Sequence, residues 1–249
     1  MPAIHRYSRR RFIATAAGGF AAAHLPALAS GASRPKSLIH LFMSGGMSQL
    51  DTFDPLPGLP HAIPTSAPGI SISGNLPLLA RHMDKITLFR AMGHGMKGHP
   101  AACEAALRFP GSWSFDRPTC SDFHSAIGEA IPMLQGGRNL IRIELGGWDI
   151  HTENASRTAP LAATLDSGFS KLLETLSAIG LLDETLIVLN TEFGRNPVHN
   201  GFGGREHDPR AYSCLIAGGG MQGGRLVTAK TSPQEFHARI LDRFSHTLA

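Results

Sequence analysis

The chain has 249 residues, of which 42% are hydrophobic and 17% charged, with 28 glycines and 17 prolines. This length suits one α/β domain with a sizeable core, and the composition excludes a disordered chain and a bundle of membrane helices. The formal net charge of +4 belongs to residues 1–29, which hold four arginines and no acidic residue, so the rest has 19 basic against 19 acidic residues. A nucleic-acid-binding role therefore lacks electrostatic support.

The first 29 residues are typical of an export signal. Residues 8–13 (SRRRFI) form a twin-arginine motif, an Ala/Gly-rich apolar stretch follows, and residues 27–29 (ALA) suit a signal peptidase. The alternative, an N-terminal membrane anchor, is disfavoured because the stretch is short and interrupted by glycines, a histidine and a proline. We therefore predict a bacterial protein that the twin-arginine export machinery delivers to the periplasm or beyond. It keeps no stable membrane span after cleavage, and residues 30–249 form a single domain.

Strands and helices are predicted to alternate along the remaining chain. Short apolar runs that end in glycine-rich or polar loops predict strands at residues 36–43, 86–92, 140–145, 185–191 and 211–217. Helices are predicted at residues 75–84, 100–109, 119–133, 161–179 and 233–248. The fourth helix has the clearest apolar stripe, and Gly180 ends it. This order predicts an α/β fold whose parallel sheet is covered on both faces.

The three cysteines do not form a recognisable motif. Cys103, Cys120 and Cys214 show no CxxC spacing, and three thiols cannot all pair within one chain. We interpret them as small buried residues rather than as a disulfide framework or a thiolate metal site.

Ligand-type side chains follow three of the predicted strands. Asp51 and Asp54 follow the first strand, Asp149 and His151 follow the strand at 140–145, and the segment after 185–191 contains Glu192, Arg195 and His207. Ligands of such sheets bind beyond the carboxyl ends of the strands, and a divalent cation would offset the repulsion between converging carboxylates. Oxygen and imidazole donors suit Zn²⁺, Mn²⁺, Fe or, with fewer histidines, Mg²⁺ and Ca²⁺.

Each of these side chains also has a purely local interpretation. Asp51 and Asp54 are favoured turn residues, and Asp149 with His151 is compatible with a capped loop. Glu192 could form an ordinary ion pair with Arg195, and the acidic neighbours of His207 are compatible with a solvated charge cluster.

Five segments resemble the sequence blocks of a secreted bacterial family, domain of unknown function 1501, a sulfatase-like branch of the alkaline phosphatase superfamily. They are SGGMSQLDTFDP, GGWDIHTEN, LLDETLIVLNTEFGRNP, GGREHDP and AGGGMQGGRLV. The resemblance extends over about residues 36–227 in the family's order, and it implies an alkaline-phosphatase-like α/β/α sandwich with a mostly parallel sheet. The middle region, residues 120–145, is short for the family.

The resemblance also implies a set of site residues. The implied metal ligands are Asp51, Asp149, His151, Glu192 and His207. Phe193 stands where the superfamily has a further imidazole, so a complete two-metal site is not expected. Superfamily hydrolases carry a Ser, Thr or modified Cys nucleophile at a helix N-terminus. This chain offers His99 at that position, as a proton donor or nucleophile, with Ser48 as another hydroxyl near Asp51. Arg195 or Arg205 would steady anionic oxygens.

The sequence therefore predicts an exported, metal-dependent hydrolase of sulfate or phosphate esters. Its substrate would be a small anionic ester or a sulfated or phosphorylated polymer. The alternatives are a non-catalytic secreted binding or assembly protein that retains the fold, and a shortened chain that folds poorly.

Overall fold

A computed structural model describes residues 34–56, 61–109 and 113–244. The predicted export signal at 1–29 lies outside these residues. None of the helices in the described ranges combines the length and the apolar character that crossing a bilayer requires.

A six-stranded sheet forms the centre of the protein. Its spatial order is β10 (Arg225–Val227), β4 (Ile86–Met92), β9 (Tyr212–Gly218), β6 (Thr185–Asn190), β1 (Ser37–Phe42) and β5 (Leu140–Glu144). Strand β1 pairs in parallel with β5 and β6, and β10 pairs in parallel with β4. Strand β9 is antiparallel to both of its neighbours, β4 and β6. The sheet is therefore mostly parallel, as predicted.

Helices cover both faces of the sheet and complete an α/β/α sandwich. One face carries a 3-10 helix (Leu79–Lys85), α2 (Phe123–Gln135) and α3 (Asn154–Ala178), whose apolar side chains share one core with β1. The other face carries α1 (His99–Leu107) and α4 (Pro233–Phe244). There, Phe236 packs edge-on against Phe89 of β4, with ring centroids 5.1 Å apart. Continuous burial on both faces explains why the central strands read as apolar runs.

The predicted strands are confirmed to within one or two residues, but several other features differ. The segment at 75–84 contains a 3-10 helix over its second half. Helix α2 begins at Phe123, four residues after the predicted start at 119, because the Asp122 carboxylate accepts from the Ser125 N–H at 2.8 Å and caps the helix there. Helix α3 begins seven residues earlier than its apolar stripe, at Asn154.

Two short hairpins and the short strand β10 were not predicted. Strands β2 (Ala62–Pro64) and β3 (Ser71–Ser73) form one hairpin, and β7 (Gly194–His199) and β8 (Arg205–Asp208) form the other. The β7–β8 hairpin takes the place of a crossover helix between β6 and β9, and this is why β9 returns antiparallel to β6. The same hairpin projects from the carboxyl end of β6, the edge at which β1 and β5 also end.

Candidate functional site

The loops that follow β1, β5 and β6 are packed backbone to backbone. A Cβ added at Gly45, where φ is +110°, would lie 2.5 Å from the Asp149 nitrogen. A Cβ at Gly204 would collide with the backbone of His151. Only glycine allows so close an approach at these two points, and it brings the polar side chains of the three loops together.

Asp149 lies at the centre of the resulting cluster. Its Oδ1 atom is 2.8 Å from an Arg195 terminal nitrogen, 2.9 Å from His151 Nε2 and 3.0 Å from His207 Nε2. Its Oδ2 atom is 3.4 Å from His99 Nε2. Partial burial opposes ionisation of this carboxyl, but the hydrogen bonds from Arg195 and His207 and the charge of Arg195 outweigh it. They hold the pKa of Asp149 well below its ordinary value.

Each of the three imidazoles is oriented through its Nδ1 atom. His99 Nδ1 lies 2.9 Å from Glu192 Oε1, and His207 Nδ1 lies 3.0 Å from the Lys97 carbonyl oxygen. His151 Nδ1 lies 3.4 Å from a Glu206 oxygen. Carbonyl and carboxylate oxygens only accept hydrogen bonds, so each ring can donate through Nδ1 while its Nε2 is turned toward Asp149, which is the orientation of an imidazole that binds a metal ion through Nε2.

The donor set fits a divalent metal ion. Ligand atoms of His99, Asp149 and His207 all lie within 4.8 Å of one another. His99 Nε2 is buried yet has no hydrogen-bond partner among the described residues. Two imidazoles and one carboxylate are the protein ligands of many catalytic zinc sites, in which water or substrate takes the fourth position, and the same ligands also suit iron. His151 Nε2, 3.2 Å from His207 Nε2, lies beside this three-residue group.

Glu192 contacts the side of the His99 ring that faces away from Asp149. The residue is 1% exposed, and its carboxylate accepts from the Gly45 N–H at 2.8 Å and contacts His99. Cys103 approaches the same two side chains, with a ligand atom of each of the three within 4.8 Å of the others. Burial, followed by the negative charge of Glu192, raises the pKa of the Cys103 thiol to about 12. Cys103 is therefore protonated at neutral pH and is a poor nucleophile.

Arg195 holds the three loops together. It is 1% exposed, and it pairs with Asp149 rather than with Glu192. Its guanidinium also donates to four backbone oxygens, those of Gly45, Gly46, Trp148 and Arg205. Because its donors are committed to these partners, Arg195 fixes the carboxylate that it pairs with and has little capacity left for a substrate oxyanion.

Asp51 and Ser48 belong to a separate network. Asp51 Oδ2 accepts from the Ser48 hydroxyl and, at 3.0 Å, from the Asn154 amide, and it lies 3.5 Å from Arg205 Nε. This carboxylate already has a cationic partner within the protein, and it lies outside both ligand groups found among the described residues. The structure therefore brings Asp149, His151 and His207 into contact with one another. Glu192 contacts the site through His99, and Asp51 contacts Arg205 instead of the ligand group.

Three residues have positions in this site that the sequence pattern did not predict. The family resemblance implied that His99 is a proton donor or nucleophile, yet its Nε2 faces Asp149 and His207. Asn154 lies in the GGWDIHTEN segment but had no assigned role. Phe193, fully buried, packs its ring 4.3 Å from that of His207 and 4.8 Å from that of His99, so that it occupies the space beside both imidazoles. The two histidines of the HGMKGHP segment were the available signal for His99.

Comparison with known structures shows the fold. The chain resembles the C-terminal periplasmic domain of EcEptC from Escherichia coli in complex with zinc, with a TM-score of 0.51 and 10% identity over 87% of this chain and 84% of that one. It resembles the lipoteichoic acid synthase LtaP from Listeria monocytogenes, with a TM-score of 0.51 and 9% identity over 85% and 72%. It also resembles a protein of the alkaline phosphatase superfamily from Vibrio parahaemolyticus, with a TM-score of 0.50 and 12% identity over 84% and 66%.

Comparison with family models identifies the family. Among curated proteins, none matches the chain. The model described as "Protein of unknown function (DUF1501)" matches residues 35–121 and 124–241. These two segments include every residue of the site described above. The chain therefore belongs to the DUF1501 family, and it has the α/β fold of the alkaline phosphatase superfamily.

Proposed function

We propose that this protein is an exported, metal-dependent hydrolase of sulfate or phosphate esters. The observation that carries the proposal is the buried Nε2 of His99, which lacks a hydrogen-bond partner among the described residues and faces Asp149 and His207. Asp149 Oδ2 lies 3.4 Å away without a hydrogen bond to this buried nitrogen, so the nitrogen is poorly satisfied, and a metal ion bound between the two atoms would satisfy both.

His99, Asp149 and His207 would hold the ion, with Glu192 and Arg195 as their supports. When bound, a divalent ion supplies Lewis acidity toward ester oxygens and lowers the pKa of a bound water. Glu192 keeps the proton of His99 on Nδ1, and Arg195 keeps Asp149 ionised and fixed in place. These two residues act through the ligands that they orient.

His151 is the candidate for proton transfer. Its side chain is 39% exposed, its Nε2 lies beside His207, and its Nδ1 lies 3.4 Å from Glu206. In hydrolysis, water adds to phosphorus or sulfur, the bond to the ester oxygen breaks, and the leaving alkoxide takes up a proton. His151 would carry that proton between solvent and the site, whereas the family resemblance implied His99 as the proton donor.

Direct attack by water fits this site better than a covalent intermediate. The Cys103 thiol is protonated, and the Ser48 hydroxyl donates to Asp51 outside the ligand group. The described residues thus present no activated thiolate or hydroxyl beside His99, Asp149 and His207.

The test is to purify the chain from residue 30 onward, measure its bound metal and assay aryl phosphate and aryl sulfate hydrolysis. We expect bound divalent metal and turnover of at least one ester, both lost in Asp149→Asn. The matched control is His124→Ala, an exposed imidazole on α2 that contacts Ser167. Metal content and activity unchanged in Asp149→Asn would refute the proposal.

A non-catalytic binding or assembly protein is the second candidate, favoured by the absence of an activated nucleophile in the site and by the position of Phe193. Metal that raises the melting temperature of a protein with no esterase activity would support it.

Export is tested separately: replacing Arg9 and Arg10 with lysine should retain the precursor in the cytoplasm.

A further inference from the structure

A cavity of about 400 Å³ opens beside β5, the edge strand of the sheet. One wall is the segment before α2, which runs parallel to β5 through the pairing of Asp116 with Ile141. The other wall is the carboxyl-terminal half of β5 and the loop that follows it. The polar residues that line the cavity are Arg117, Thr119, Ser121, Arg142 and Glu144.

Arg142 lines this cavity, and two contacts hold its guanidinium. Its Nε donates to His40 Nδ1 at 3.0 Å, and its guanidinium carbon lies 4.4 Å from the centre of the Phe115 ring. In the part of the chain that the structure describes, no acceptor hydrogen-bonds its two terminal nitrogens. A guanidinium fixed at one nitrogen and stacked on an aromatic ring loses little entropy when its remaining donors bind an anion.

The cavity carries an excess of positive charge. Arg117, with a side chain 59% exposed, lies 3.6 Å from a Glu144 oxygen, so two guanidiniums face one carboxylate. Burial and then the charge of Arg117 lower the pKa of Arg142, because the two cations repel each other. An anion bound between them would relieve this repulsion and accept from both guanidiniums.

The cavity and the candidate metal group are linked by a short piece of chain. Gly146, which lines the cavity, precedes Asp149 by three residues. Three residues of extended chain span at most about 11 Å, so the backbone of Gly146 lies no farther than this from that of Asp149, within the reach of one extended ligand. Both also lie at the carboxyl edge of the parallel strands.

We propose that this cavity binds a second anionic group of the substrate. This inference rests on the proposed function and narrows its substrate class to esters that carry another sulfate, phosphate or carboxylate near the bond that is cleaved. A sulfated or phosphorylated oligomer meets this requirement, whereas a small monoester does not.

The kinetic test compares a disulfated with a monosulfated disaccharide of the same sugars, the corresponding phosphates, and an aryl monoester. Arg117→Gln and Arg142→Gln should each raise KM for the doubly charged substrate about tenfold or more, with kcat unchanged and the aryl monoester unaffected. The control is Arg138→Gln, an exposed arginine that pairs with Asp116 outside the cavity. Equal loss on all substrates, or no preference for the doubly charged ones, would overturn the proposal.

A binding measurement separates this proposal from the hydrolase proposal. Calorimetry with the disulfated disaccharide should show binding to the wild type that weakens in Arg117→Gln and persists in Arg138→Gln, even if no ester is turned over. Because Arg117 is exposed, its variant should keep the fold, which the thermal transition would verify. Unchanged binding in Arg117→Gln and Arg142→Gln would overturn the cavity assignment even in an active hydrolase.

Discussion

Two sets of histidines occupy opposite environments in this protein. His40 on β1 is completely buried, with Nε2 2.7 Å from Asn190 Oδ1 and Nδ1 accepting from Arg142 at 3.0 Å. His237 on α4 contacts the Ala106 carbonyl oxygen at 3.1 Å. Burial, as the largest cause, lowers the pKa of His40 to about 3 and that of His237 to about 4. Both rings are therefore neutral structural groups at physiological pH.

His99, His151 and His207 are arranged differently. Each has an oxygen partner at Nδ1, and each points Nε2 at the same carboxylate, Asp149. The contrast shows what separates a structural histidine from a metal-ligand candidate. His40 has a fixed protein partner at both ring nitrogens, whereas the site histidines have one anchored nitrogen and one aimed at a shared point.

The largest expected effect comes from removing a site imidazole. His207→Ala should lose its bound metal and about 10³-fold in ester hydrolysis, which corresponds to about 4 kcal/mol of transition-state stabilisation. His40→Gln should keep its metal. Metal analysis and steady-state kinetics on both variants check the contrast, and metal retained in His207→Ala would remove the distinction between the two sets.

Acid should act on the buried set. His40 and His237 bind protons near pH 6.5 when unfolded but only near pH 3 to 4 when folded, so the unfolded chain binds more protons as the pH falls. When the pH falls from 7 to 5, each of these two histidines should lower the free energy of unfolding by about 2 kcal/mol. Urea unfolding with a chelator present measures this loss. His40→Gln should lose about half of the histidine-dependent slope, and an unaltered slope would show that His40 does not contribute.

A bound metal ion should stabilise the fold only through the site histidines and Asp149. At a free metal concentration 100 times Kd, binding should add about 2.7 kcal/mol to the free energy of unfolding and raise Tm by about 5–10 °C. Thermal unfolding with zinc, and with zinc plus a chelator, checks this prediction. The same Tm shift in Asp149→Asn would place the metal elsewhere.

The smallest effect is expected from a change at Glu192, which supports the candidate metal ligand His99. Glu192→Gln keeps an acceptor for His99 Nδ1 but removes the charge, so metal affinity should fall about 10- to 100-fold. Competition with a metal indicator measures the change, with His124→Ala as the control. Unaltered affinity would mean that Glu192 does not orient His99.

The strands of the central sheet were predictable because each is a continuous apolar run. The segment 36–43 coincides with β1 to within one residue at each end, and 86–92 coincides with β4. The direction of β9 was not predictable, since it depends on the β7–β8 hairpin, whose short, mostly polar strands carry no clear period. The order of strands and helices predicted a sheet covered on both faces, and the family resemblance indicated that this sandwich is alkaline-phosphatase-like.

The sequence by itself determined the family, the central strands and the loops that carry ligand-type side chains, because these depend on local residue type and on order along the chain. Only the tertiary structure decided which of those side chains meet. The approach of α1 brings His99 to Asp149, and the β7–β8 hairpin brings His207 to the same carboxylate while giving Asp51 to Arg205. Such partnerships join residues 50 to 154 positions apart, and packing between loops establishes them, because no local pattern encodes a distance across the fold.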